Sequence, residues 1–352
     1  MKTLIIPCAG KSSRFPNMKP KWMLTHPDGK LMIQKAIEGI NTDIFDRIII
    51  TILQYHIEKY DAELILKQVF NGNKKIEICV LENPTKSASE TVYLTIQKMN
   101  INGAFVVKDS DNFVNVKIPM ENKNFIVGFD LHKHPKISNI PEKSFLIVNE
   151  QNITQDIIEK KIVSHIICLG IYGFDGTEEF RKTFEYLSKN GIENELFISH
   201  IISYILSQKK ALFEYIEAGD YKDWGTLNEW ILEQKKYQTY FIDVDGVILK
   251  NSGKYGKINW SNNTEAIDEN VKQIINLQNN GGQIIITTSR GEEYRKALEK
   301  ILSNLGIKPY SILMGLNHSA RVLINDFAPT NPYPSGIAIS LPRNSLIKDY
   351  LK

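Results

Sequence analysis

Short apolar runs alternate with stretches of helical period along most of this chain. Residues 4–7, 47–52, 76–81 and 104–107 are β-branched or apolar runs of strand length. Between them, residues 31–40, 57–70 and 89–99 repeat apolar positions at helical spacing, the last with Ser87 or Ser89 as its N-cap. Residues 194–207 form a further apolar-rich helix candidate. Three later apolar runs, 240–242, 283–287 and 322–324, each end in polar or acidic residues. This alternation predicts an α/β class. A polar stretch at 233–238, the tail of a helix starting near Asn228, predicts a boundary that divides the chain into 1–236 and 237–352.

A length of 352 residues fits two domains. The hydrophobic share of 42% and charged share of 24% suit a soluble globular protein. A formal net charge of +3 makes no case for nucleic acid but is compatible with anionic phosphate substrates. Cys8, Cys79 and Cys168 are odd in number and far apart, so neither a disulfide framework nor a zinc cluster is expected, and a reducing cytoplasm is the simpler setting. The N-terminal apolar run stops at Pro7, too short for a signal peptide core, and no stretch approaches a membrane span.

Candidate chemistry is densest at residues 241–247, Phe-Ile-Asp-Val-Asp-Gly-Val. Residues two apart on an extended backbone point the same way, so Asp243 and Asp245 face one site at the carboxyl end of a strand. Two carboxylates that close call for a divalent cation, and one has its pKa raised. One acid can then act as nucleophile and its neighbour as proton donor. The run resembles the D-x-D-G-[TV] signature of the haloacid dehalogenase (HAD) phosphatases. That resemblance implies Asp243 as the nucleophile, Asp245 as the acid/base and both as Mg²⁺ neighbours. Thr288-Ser289-Arg290 resembles the second HAD motif, with Thr288 on the phosphoryl oxygens. Asn325-Asp326 resembles the fourth, with Asp326 as metal ligand, and Arg321, or else Lys308, is the cation of the third. The short spacing between the first two motifs implies a capless HAD-like Rossmannoid domain.

The first apolar run leads into Ala9-Gly10-Lys11-Ser12-Ser13-Arg14, where small residues let backbone N–H groups approach an anion. Arg14 adds a fork of donors, and Lys21 after Pro20 a second cation. Lys11-Ser12 lacks the glycine spacing of a P-loop. The segment resembles the [AG]-G-x-[GS]-[ST]-R … P-K signature of sugar-phosphate nucleotidyltransferases, which implies that the loop, Arg14 and Lys21 cradle a nucleoside triphosphate. Asp111-Asn112 is similar to that family's metal-binding position, and Asp223 within 221–226 to its second metal ligand. Two such acids can clamp one Mg²⁺. Glu159-Lys160 followed by 169–174 resembles the sugar-phosphate stretch and implies Lys160, or its neighbour Lys161, as the contact; Glu195 in Asn194-Glu195-Leu196 would touch sugar hydroxyls. Thr85, Ser87 and Ser89 lie where the family binds the base.

The two resemblances together imply a Rossmann-like, GT-A-like first domain with a mixed sheet, fused to a phosphatase, with Mg²⁺ in both. The expected reaction is transfer of a nucleotidyl group, CMP from CTP foremost, to a sugar or polyol phosphate, with release of pyrophosphate. The setting would be activated-sugar synthesis for a capsule or surface polysaccharide, as in the bacterial capsule cytidylyltransferases. Partners would be the triphosphate and the sugar phosphate, with no nucleic acid and no membrane, and a second copy of the chain left open. Alternatives are a GT-A glycosyltransferase using Asp109-x-Asp111, or one domain serving as a scaffold.

Overall fold

The structure, a computed structural model, describes residues 1–133, 140–190, 195–253, 260, 265–326, 328 and 335–351. The chain divides into two compact units, Met1–Glu229 and Trp230–Lys352.

In the first unit the elements run β1 (Lys2–Pro7), α1 (Met32–Glu38), β2 (Arg47–Leu53), α2 (Gln54–Tyr60), α3 (Ala62–Val69), β3 (Ile76–Leu81), α4 (Ala88–Lys98), β4 (Ala104–Lys108), β5 (Asn112–Asn115) and β6 (Phe125–Asp130). They continue through β7 (Ser144–Val148), β8 (Ile153–Glu159), β9 (Ile166–Phe174), α5 (Glu178–Lys189), α6 (Ile198–Ser207), β10 (Phe213–Glu217) and β11 (Asp220–Asp223). A further helix, α7 (Leu227–Lys236), begins in this unit.

Among the described residues one sheet has the order β3-β2-β1-β4-β9-β6-β10-β8-β7. Strands β1 to β4 are parallel, whereas β9 runs antiparallel to both β4 and β6, so the sheet is mixed. Both faces are covered. In β1, Leu4 and Ile6 enter one cluster with Trp22, Ile33 and Ile50. Ile5, one residue between them, enters another with Ile49, Val92 and Phe105. A strand buried on both faces reads as a continuous apolar run, which is why these strands stand out in the sequence.

The helix expected over 57–70 is two helices. Asp61 takes the left-handed conformation (φ 52°) between α2 and α3 and breaks the ladder there. Ser87 caps α4, its hydroxyl accepting the Glu90 N–H at 3.2 Å. The polar stretch at 233–238 overlaps the last turn of α7.

The second unit carries β12 (Thr239–Asp243), α8 (Asp268–Asn279), β13 (Gln283–Thr287), α9 (Arg295–Asn304) and β14 (Ser311–Leu313). These three strands are parallel in the order β12-β13-β14. Ile242, Ile284 and Ile286 pack with Val271 and Ile274 of α8 and Leu298 and Leu302 of α9. The strand expected at 322–324 does not form: Val322, Leu323 and Ile324 are 80%, 62% and 90% exposed and carry no strand pairing. Three apolar residues supply few ladder bonds, and with neither face on a core they have no reason to order as a strand. No described helix is long and apolar enough to cross a membrane.

Candidate functional site

The loop after β1 is held by its ends. Cys8 N–H donates to Thr51 at 2.8 Å, and the carbonyl of buried Ala9 accepts the N–H and hydroxyl of Thr85 at 3.2 and 3.3 Å. Gly10, Lys11, Ser13 and Arg14 between are exposed, and Ser12 turns the loop with φ 49°. Pro20 then opens a short 3-10 turn, Lys21–Met23. Trp22 and Met23 sink into the core, which holds Lys21 at the site mouth.

Strand β4 delivers the acids. Lys108 is wholly buried and donates to the carbonyls of Asp109 and Asn112 at 2.8 and 3.0 Å, stitching the turn into β5. Asp109 lies against Gly170 of β9, whose left-handed backbone (φ 69°) and missing Cβ leave the space the carboxylate fills. Asp111 turns towards β11, which pairs with β5 in the register Asp223↔Asn112. A Cβ on Gly225 would lie 3.1 Å from Asp223 Oδ1, 3.4 Å from Asp111 Oδ2 and 3.8 Å from Arg14 Nη1. Two acids more than a hundred residues apart and one arginine thus meet around a single glycine.

Each acid holds a lysine: Lys21 Nζ pairs with Asp111 Oδ2, and Lys143 Nζ with Asp223 Oδ2. Lys143 also donates to the Tyr221 hydroxyl at 2.9 Å. Burial pulls the Lys143 ammonium below its ordinary pKa against the attraction of Glu229, Asp111 and Asp109. Burial pushes Asp109 up, and the charge of Asp111 pushes it further. Burial also opposes ionisation of Asp111, but Lys21, Lys108 and Lys143 outweigh it and leave that carboxyl below the usual range. Adjacent acids driven apart in this way leave Asp111 as the charged member.

The same pocket is lined by Glu142, Glu159, Tyr172, Phe197, Ser199 and Glu229. Glu229 forms a reciprocal cap with Thr226: its Oε2 accepts the Thr226 N–H at 3.0 Å, and Thr226 Oγ1 accepts the Glu229 N–H at 3.3 Å. The other oxygen, Oε1, is buried with no hydrogen-bond partner among the described residues. A pair of carboxylates neutralised only by ammonium groups, beside a third carboxylate with an orphaned oxygen, is a hard-oxygen donor set that fits Mg²⁺.

Several sequence-predicted residues stand elsewhere. Lys160 is not part of the pocket wall; it pairs with Glu142 at 3.5 Å and lies over the Phe197 ring at 5.2 Å, while Glu159 beside it lines the pocket and accepts the hydroxyls of Ser144 and Ser199 at 2.5 and 2.6 Å. Glu195 is exposed and off the pocket wall, and Asn194 lies outside the described residues. Thr85, Ser87 and Ser89 are buried with internal partners: Thr85 on Ala9, Ser87 on α4 and Ser89 on the Leu196 carbonyl. None of the three lines the pocket wall. The reading of the sequence missed Lys143, which belongs to no motif, and Glu229, whose T-x-x-E spacing with Thr226 is a capping-box signal.

In the second unit Asp243 ends β12, and Thr287 opposite it in β13 leads into the buried Thr288. Burial raises the pKa of Asp243, and the charge of Asp245 adds to this, against the Val244 N–H, Arg321 and Arg290. Thr288 Oγ1 accepts the Arg290 N–H at 3.2 Å. Asp245 is gripped by Arg290, which is 1% exposed, through two bonds of 2.9 and 2.7 Å. Arg321 is exposed and donates to Asn317, Ser319 and Ser289. Lys308 is also exposed. Asp326 lies on the exposed irregular segment and does not join Asp243 and Asp245 in a three-ligand cluster. The strand expected to deliver Asp326 does not form among the described residues.

No protein-family model and no curated protein matches the chain. Solved structures do. A nucleoside-diphosphate-sugar pyrophosphorylase from Vibrio cholerae RC9 is 21% identical with a TM-score of 0.53, over 65% of this chain and 98% of that one. A putative glucose-1-phosphate thymidylyltransferase from Bacillus anthracis is 18% identical with a TM-score of 0.53, over 66% and 94%. A UDP-glucose pyrophosphorylase complexed with UDP-glucose is 18% identical with a TM-score of 0.51, over 66% and 97%. The first unit therefore has a nucleotidyltransferase-like fold.

Proposed function

We propose that the first unit is a sugar-phosphate nucleotidyltransferase. The observation that carries this reading is the convergence of Asp111, Asp223 and Arg14 at Gly225, with Lys21 on the rim. A triphosphate would lie along the loop Ala9–Arg14, with its polyanionic tail on the exposed N–H groups, Arg14 and Lys21. Mg²⁺ bound by Asp111 and Asp223, with Glu229 near, would neutralise phosphate charge and orient the oxygens. An oxygen of the sugar phosphate attacks the α-phosphorus in line, the new P–O bond forms, and pyrophosphate leaves with its charge held by Arg14 and Lys21. Asp109, held back against β9, leaves Asp111 as the charged acid of that pair, which favours this reading over a glycosyltransferase that needs both. CTP is the first triphosphate to try. The test is a panel of the four nucleoside triphosphates against sugar and polyol phosphates, followed by pyrophosphate release. Failure of every pair to release pyrophosphate would remove this reading.

A second activity is proposed for the other unit: hydrolysis of a phosphate monoester at Asp243. Support comes from an acid with a raised pKa at the end of a parallel strand, with Thr288 at the end of the next and two arginines acting on it. Mg²⁺ there would rest on Asp243 and Asp245 without Asp326. Phosphate release from p-nitrophenyl phosphate that persists in Asp243→Asn would exclude it.

A further inference from the structure

Away from the pocket, β6 ends and β9 begins side by side, in the register Asp130↔Ile166. Three side chains gather where they meet. Asp130 closes β6, His132 follows it by two residues, and His165 precedes β9. His132 Nδ1 lies 3.8 Å and His165 Nε2 4.0 Å from Asp130 Oδ1. The two imidazole rings stack with centroids 4.3 Å apart and planes 17° from parallel. One donor atom from each of the three falls within 4.8 Å of the others, the one such cluster among the described residues.

The backbone prepares this arrangement. Asp130 Oδ1 accepts the His132 N–H at 2.9 Å, which sets the carboxylate. The His165 carbonyl accepts the Leu131 N–H at 2.9 Å, which locks the two strand ends together. The neighbouring cation, Lys133, is held on Glu217 at 2.7 Å rather than on Asp130. We infer that Asp130, His132 and His165 bind one divalent cation of the zinc class. Two imidazole nitrogens and one carboxylate are a borderline donor set that selects Zn²⁺, Co²⁺ or Ni²⁺ over Mg²⁺ and Ca²⁺. Bonds of about 2.0–2.1 Å in a tetrahedron put donor atoms roughly 3.3 Å apart, so the imidazole nitrogens close on Asp130 by about half an ångström or a little more, and the widest donor pair by at most about 1.5 Å. Both imidazoles are free to do so, being 75% and 48% exposed. Water would take the fourth position. The ion would staple β6 to β9, the strand that carries Gly170 to the pocket.

The experiment uses the full chain without an affinity tag, stripped with chelator, and titrated with zinc chloride in excess Mg²⁺. One Zn²⁺ per chain is expected, with a rise in melting temperature. Removing one of three ligands in His132→Ala or His165→Ala should weaken binding by more than the roughly 100-fold that losing an outer-shell partner can cost and abolish the rise, with circular dichroism unchanged. The double variant Asp111→Ala/Asp223→Ala should keep the site. Cobalt in place of zinc should give visible absorption of a tetrahedral ion that is lost in His165→Ala. Zinc binding that survives both histidine variants, that disappears with Asp111 and Asp223 instead, or that is absent from the folded wild-type chain overturns the inference.

Discussion

The chain carries two D-x-D sequences, Asp109-Ser110-Asp111 in the first unit and Asp243-Val244-Asp245 in the second, and their surroundings treat them in opposite ways. In the first, one acid is set against Gly170 and the other is turned outward to meet Asp223 from a distant strand. The cations opposite are lysines, compact charges on flexible stems that a metal ion can displace. In the second, Asp245 is held by a buried arginine through a two-point grip, and Asp243 is left as the acid with the raised pKa. A third carboxylate lines the first pocket through Glu229, whereas among the described residues no third ligand clusters with Asp243 and Asp245. Identical spacing therefore leaves one acid turned to a distant carboxylate in the first place and one acid held by a buried arginine in the second. The difference lies in what the neighbouring strands deliver.

The largest effect expected from breaking this contrast is at Asp223. Asp223→Asn should lower pyrophosphate release by about 1000-fold, the scale of losing a preorganised charge at a reacting centre. Asp243→Asn should leave that activity unchanged, and equal losses in both variants would dissolve the distinction.

Next comes Lys143→Met. Removing one partner of a buried ion pair costs about 3–5 kcal/mol, so the metal-free protein should lose stability in urea. With its competitor gone, Asp223 should bind Mg²⁺ at lower concentration, read as a fall in the Mg²⁺ needed for half-maximal pyrophosphate release. A rise would mean that Lys143 helps the bound state instead.

Arg290→Met tests the other side. Asp245 is 15% exposed against 11% for Asp223, so its loss of partner should cost a similar amount, about 3–5 kcal/mol, confined to the unfolding transition of the second unit. A shift in the first unit's transition would contradict the assignment.

The smallest effect separates the units by acid. Burial lowers the His56 pKa from 6.5 to about 4. The unfolded chain then takes up a proton that the folded one refuses, so stability is full above pH 6.5 and falls as pH drops towards 4. By pH 5 the loss is about 2 kcal/mol in the first unit. His56→Gln should flatten that slope in a thermal melt followed against pH. The Gln side chain would still offer an acceptor to the Leu53 N–H, which now reaches His56 Nδ1 at 3.4 Å.

Much of this was legible residue by residue. Strands with both faces covered announce themselves as apolar runs, and β3 and β13 fall where the pattern put them. The turn after β1 was legible from its small and basic residues. The run at 322–324 carried the same apolar signal and formed nothing, because composition does not say whether a neighbour is present to pair with. The helix at 57–70 hid its break, since Asp at a left-handed position is tolerated but not announced.

By itself the sequence determined the α/β alternation, the acids that end strands and the basic loop, because local pattern and side-chain chemistry are properties of short segments. Only the tertiary structure decided that Asp111 faces Asp223 while Asp109 does not, and that Lys143 and Glu229 complete the pocket. It alone decided that Arg290 captures Asp245. Each of these outcomes rests on contacts between segments far apart in the chain, and which charge meets which is set by strand order and register rather than by spacing along the backbone.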